Sequence, residues 1–165
     1  MPAGSTYTPI ATTTLGSAQS SVTFNSFSGY TDLVIVAVIG NSANANRDLY
    51  WTYNGDSATN YSSTSVGGDG SSAFASRDSN KAFLRLVGSS NNTPTNMSII
   101  QIMNYSNTTT FKTCLFRAGN PSWVVTATAG LWRSTSAITS ITFTNESAAN
   151  FVTGSTFTLY GIASA

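Results

Sequence analysis

Apolar and polar positions alternate along this chain in short bursts separated by Ser, Asn and Gly clusters, and a period of two predicts β-strands throughout. The stretch 8–15 is Thr-rich and β-branched and stops at Gly16-Ser17, and 21–24 (SVTF) alternates up to a polar cluster ending at Gly29. Residues 30–39 (YTDLVIVAVI) are apolar on both faces, as expected of a central strand covered on both sides. The segment 48–53 (DLYWTY) predicts another strand, closed by Asn54-Gly55-Asp56, a sequence that readily takes positive φ. Between 57 and 80, two sets of turn residues, Gly67-Gly68-Asp69-Gly70 and Arg77-Asp78-Ser79-Asn80, surround isolated apolar points at Tyr61, Val66 and Phe74, which predicts a long loop-rich region. Further strands are predicted at 81–87, 97–103, 112–117, 123–132, 137–143 and 156–162. No capped amphipathic helix pattern occurs, and the Val/Thr alternation of 123–132 favours strand over helix.

Many short strands joined by polar turns predict an all-β fold: an antiparallel β-sandwich, jelly-roll-like, with about 8–10 strands in two sheets. No internal repeat suggests a propeller or solenoid. Residues 1–9 hold Pro2, Gly4 and Pro9 among small polar residues, so they are expected to form an extended N-terminal arm ahead of a single sandwich domain at 10–165. Such an arm is either disordered or docked on a neighbouring subunit, and docking is the use expected in an assembly, which makes Tyr7, Pro9 and Ile10 candidate docking contacts.

Charge sharpens this picture. Charged residues make up 8% of the 165 residues, against about 25% in ordinary soluble domains, and the net charge is +1. So uncharged a surface is expected to be covered by copies of itself or by a larger assembly. The seven basic residues are scattered, which argues against nucleic acid. The first ten residues lack the basic and apolar regions of a signal peptide, and the longest apolar run is one strand long, so the chain is expected to be made in a cytoplasm without membrane insertion. The several Asn-X-Ser/Thr sequences are read as a by-product of composition.

The stock of reactive side chains is small: no histidine, one cysteine and six carboxylates. Acid/base, nucleophilic and metal chemistry draw on those types, so no catalytic residue, metal or cofactor is expected. Asp56, Asp69 and Asp78 sit beside Gly, Ser or Asn, where Asp closes turns; a calcium site built with backbone carbonyls is the alternative, and catalysis a third. A Ser/Lys dyad with Lys81 or Lys112 is conceivable, although both are expected at solvated strand ends, and Cys114 is expected to be a buried hydrophobe. Three tryptophans and seven tyrosines open a glycan-binding reading, because aromatic rings stack on sugar faces. Trp51 and Tyr53 share one strand face beside the Asp56 turn, and Trp123 follows a loop, so Trp51, Tyr53, Asp56, Asp69 and Trp123 form the candidate glycan or partner surface, with core packing the competing role for Trp51 and Trp132.

Several blocks together carry a resemblance. They are Ile10-Ala11-Thr12-Thr13-Thr14-Leu15, Tyr30-Thr31-Asp32-Leu33-Val34-Ile35, Asn54-Gly55-Asp56 through Asn60-Tyr61-Ser62-Ser63 to Gly68-Asp69-Gly70-Ser71-Ser72, Asn104-Tyr105-Ser106-Asn107-Thr108-Thr109-Thr110, Gly130-Leu131-Trp132-Arg133-Ser134-Thr135 and the closing FVTGSTFTLYGI at 151–162. Over about residues 8–162 the chain resembles the small β-rich structural proteins of tailed bacteriophages, especially of marine and cyanobacterial hosts. The resemblance implies a structural or adhesive role with no catalytic motif. With no long shaft ahead of the module, the expectation is a capsid decoration, or cement, protein on the virion exterior that binds the major capsid protein as a homo-oligomer, a trimer by preference. The alternative is a head- or tail-fibre tip that recognises host surface glycans. A hydrolase would need two of Asp56, Asp69, Asp78 and Glu146 across one cleft.

Overall fold

Alternation of buried and exposed positions is what the strands of this chain display most plainly. In the computed structural model, which describes residues 6–43, 45–90, 92–94 and 96–163, twelve strands account for nearly all regular structure. In chain order they are β1 (Tyr7–Thr14), β2 (Ser21–Asn25), β3 (Asp32–Ile39), β4 (Arg47–Tyr53), β5 (Tyr61–Gly68) and β6 (Ala73–Lys81), followed by β7 (Leu84–Ser90), β8 (Asn96–Ile102), β9 (Lys112–Asn120), β10 (Val124–Trp132), β11 (Ser140–Asn145) and β12 (Thr156–Ile162). A 3-10 turn, Glu146–Ala148, follows β11.

The strands form two antiparallel sheets, one of eight strands ordered β1-β12-β3-β8-β9-β10-β5-β6 and one of four ordered β2-β11-β4-β7. From β2 to β5 the chain changes sheet at every connection, and it does so again on entering and leaving β7 and β11. This is the wrapping of a jelly roll, with the β8–β9–β10 meander filling the place of one strand between β3 and β5. Pairing of β12 and β1 beyond β3 widens the large sheet further.

The core lies between the sheets. Leu33, Ile35, Ala37 and Ile39 of β3, Ile100 and Ile102 of β8, and Phe157 and Leu159 of β12 face Val22, Phe24, Leu49, Leu84, Leu86, Ile141 and Phe143 of the small sheet. Aromatic contacts join the layers: the Trp51 ring meets Phe116 edge-on at 4.7 Å and 82°, while Phe143 and Phe157 lie 5.5 Å apart and tilted at 37°. Where β5 and β10 turn hydroxyls inward, those hydroxyls are paired, with Thr128 Oγ1 donating to Ser65 Oγ at 2.8 Å and Thr126 Oγ1 to the Val87 carbonyl at 3.2 Å.

The sandwich has more strands than the sequence predicts because 57–80, expected as loop, contains the β5–β6 hairpin. The turn residues Gly67-Gly68 lie inside β5, where a Cβ on Gly67 would strike the Phe74 ring at 2.5 Å and the Val125 carbonyl oxygen at 2.7 Å. Arg77-Asp78-Ser79-Asn80 lies in β6, and the reversal itself is at 69–72. The docking segment is also more ordered than an arm: Tyr7, Pro9 and Ile10 belong to β1, paired with β12, while residues 1–5 lie outside the described residues.

Candidate functional site

In antiparallel sheets, residues paired in register share a face, so the outward positions of the large sheet form rows across its strands. One row holds Val34, Gln101, Leu115, Ala129 and Thr64, the next Val36, Ile99, Arg117, Ala127 and Val66, and the third Val38, Met97, Gly119, Val125 and Gly68. Val66, Met97, Leu115 and Val125 stand 57%, 53%, 53% and 62% exposed. Small residues on β10 and bulkier neighbours on both sides leave a depression of about 370 Å³, walled by Val66, Ile99, Leu115, Gln101 and Arg117 over Ala127 and Ala129. Arg117 is the one charge in these rows and has no partner among the described residues.

The outer face of the small sheet has the opposite chemistry. Ser21, Thr23 and Asn25 on β2, Ser140, Thr142 and Thr144 on β11, and Thr52 on β4 point outward, and the Thr23 and Thr142 hydroxyls hydrogen-bond at 3.0 Å. One sandwich therefore carries an outer face covered by hydroxyls along β2 and β11 and, on the other sheet, an outer face with exposed aliphatic side chains.

All six carboxylates hold the fold. Asp32 Oδ1 accepts the Asn104 amide at 2.7 Å, Asp69 Oδ1 accepts the Ser71 and Ser72 amides at 2.8 and 2.7 Å, and Glu146 Oε2 accepts the Asp48 amide at 3.3 Å. Asp56 takes the Ala58 amide on Oδ1 at 2.9 Å, and on Oδ2 the Asn60 side chain at 2.9 Å and the Trp132 indole at 2.7 Å. Asp48 accepts the Gly88 amide at 2.9 Å and faces Arg85, which also donates to Asp78 at 3.0 Å. Lys81 is 3.7 Å from the other Asp78 oxygen. Turn closure thus holds for Asp56 and Asp69, whereas Asp78 is a strand residue in an ion-pair cluster. Among the described residues, no three His, Cys, Asp or Glu side chains gather as a metal site.

Titration follows these surroundings. Burial, with the nearby Glu146 charge, raises the pKa of Asp48 against the lowering effect of the Gly88 amide and Arg85. Burial also acts to raise that of Asp56, yet hydrogen bonds from Asn60, Trp132 and Ala58 together bring it below the ordinary value. The Ser72 and Ser71 amides lower that of Asp69. Burial pushes the Cys114 thiol up to about 12, so it stays protonated and packs as a hydrophobe.

The aromatic candidates divide. Trp51 and Tyr53 are each 1% exposed, so neither offers a ring to a sugar; both inward positions of β4 belong to the core. Trp123 is half-buried, with its amide bonded to the Asn120 carbonyl at 2.9 Å. The structure therefore does not gather Trp51, Tyr53, Asp56, Asp69 and Trp123 into one surface. Lys112 also departs from expectation: it is buried, and Nζ donates to the Thr110 and Thr135 carbonyls at 2.9 and 3.2 Å. In the docking segment, the exposed Tyr7 packs edge-on against Tyr160 at 6.3 Å, Pro9 is exposed, and Ile10 packs against the core.

The aliphatic face escaped the sequence reading, which found a strand apolar on both sides only at β3. The signal is present in Ile99-Ile100, Leu115-Phe116 and Val124-Val125, adjacent apolar pairs that must point to opposite faces of one sheet. Among the described residues, no helix is long and apolar enough to cross a membrane. No protein-family model matches the chain, and no curated protein sequence matches it.

Proposed function

We propose that this chain is a capsid decoration protein of a tailed bacteriophage: a non-enzymatic jelly-roll sandwich that binds the assembled head and stabilises it. The observation that carries the reading is how the reactive side chains are used. Each of the six carboxylates accepts a hydrogen bond from within the chain, and the lone thiol is buried, while Val66, Met97, Leu115 and Val125 stand exposed on the outer face of the large sheet. That is a chain organised for packing. The resemblance to small β-rich phage proteins supplies the setting. Binding that occurs only on the closed shell stabilises it by mass action, and no residue need react. The β1 edge, with Tyr7 and Pro9 exposed, is the docking contact for the major capsid protein in this reading. A glycan-reading fibre tip has less support, because the Trp51 and Tyr53 rings lie inside the sandwich.

The test is to mix purified protein with heads that lack it, sediment the particles, and compare protein bound to heads with protein bound to tails. Saturable binding to heads at a fixed copy ratio, together with a higher melting temperature of the particle, is the expected result. Binding to tails or host cells alone overturns it.

A further inference from the structure

We propose that the outer face of the eight-stranded sheet, centred on Leu115, Val125, Val66 and Met97, is the contact through which copies of this chain pack against one another. The assignment rests on reading the chain as an assembly protein, and it names the surface and the occupant, which is a second copy. Three observations favour a second copy. The first is area. The three rows span β3, β8, β9, β10 and β5, about 24 Å at the usual strand spacing, and repeat every second residue, so they cover about 20 Å along the strands. The footprint is therefore about 480 Å² per copy and about 960 Å² for a pair, close to the roughly 1,000 Å² that marks the lower end of specific interfaces.

The second is shape. The same face carries knobs, Leu115 and Val125, and a shallow hollow floored by Ala127 and Ala129, so two such faces can interdigitate at the spacing of about 10 Å between packed sheets. The third is what the alternatives lack. Sheets also associate through their edges, but the large sheet's edges are blunted. Pro9 removes an N–H from β1 beside a register shift, and β6 carries Arg77, Asp78 and Lys81. With a net charge of +1, one copy repels another only weakly.

The experiment measures mass by sedimentation velocity on the full chain, on Leu115→Asp, on Val125→Asp, and on Thr142→Asp from the hydroxyl-covered face, with circular dichroism to verify folding. The expected result is a wild-type mass that is a multiple of 17.3 kDa, retained by Thr142→Asp and reduced to 17.3 kDa in at least one folded variant of the aliphatic face. A monomeric wild type, or an oligomer whose mass folded variants leave unchanged, overturns the assignment. Head binding measured on the same samples separates the two readings. An oligomer held by this face that ignores heads removes the decoration reading alone. A wild-type monomer that saturates heads removes the face assignment alone.

Discussion

The indole N–H of Trp132 donates to Asp56 Oδ2 at 2.7 Å and ties the end of β10 to the turn that follows β4. Around it, Trp132 stacks on Tyr61 at 6.3 Å, and the Tyr61 hydroxyl accepts the Tyr53 amide at 3.0 Å and donates to the Asp56 carbonyl at 3.1 Å. One carboxylate thereby anchors a turn, an aromatic cluster and the junction between the sheets. Asp56→Ala leaves a buried indole without its acceptor and is expected to cost about 2 to 3 kcal/mol. Urea unfolding followed by tryptophan fluorescence reads the change, and a midpoint equal to wild type would refute this role.

Acid sensitivity should separate Asp56 and Asp69 from Asp48. The first two have folded pKa values below the ordinary 3.8, so the unfolded chain binds protons more readily; their stabilisation is present above pH 3.8 and fades as pH falls through the lower folded values. Asp48 has a raised value, so its contribution has the opposite sign: it favours folding most below pH 3.8 and declines as pH rises through the folded value. Removing Asp48 as Asp48→Asn should abolish the part of the profile in which acidification just above pH 3.8 aids folding. Stability curves across that range check the sign, and an unchanged profile in Asp48→Asn counts against it.

Gly161 lies beneath the Tyr30 ring, and a Cβ there would overlap it. Gly161→Ala must displace that ring from the core margin and is expected to cost about 1 to 3 kcal/mol, as overpacking does. Thermal melts should show a fall of several degrees, whereas Gly16→Ala, with nothing within 4 Å of its added Cβ, should melt near wild type.

Ser98 turns its hydroxyl inward on β8, where Oγ finds no partner among the described residues, as is also true of both side-chain polar atoms of Asn96 and of Nδ2 of Asn120. A desolvated hydroxyl without a partner weakens a fold, so Ser98→Ala is expected to stabilise by about 1 kcal/mol. Equilibrium denaturation with an unchanged slope would register the gain; a loss would show that the hydroxyl is bonded in solution.

The strand set and the two-layer arrangement were legible because most strands pair an aliphatic or aromatic face with a polar one, as 21–24 and 156–162 do. β5 and β6 were hidden for a physical reason. Ser63 and Ser65 turn hydroxyls inward, one of them bonded to Thr128, and a strand that buries hydroxyls in place of methyls leaves no hydrophobic trace. At the candidate site, turn closure by Asp56 and Asp69 could be read from their Gly, Ser and Asn neighbours. The burial of Trp51, Tyr53 and Lys112 depends on which face of each strand meets the other sheet, which adjacent residue types do not disclose.

The pairing of β1 with β12 sets Tyr7 opposite Ile162, so both ends of the strand array meet at one corner of the large sheet. A short linker could join them, and a new opening in the turn at 69–72 would leave every strand pair intact. Circular permutation is therefore compatible with this sandwich. A tether or fluorophore attached at Tyr7 or Ile162 would leave from that same corner, at the edge of the large sheet opposite β6.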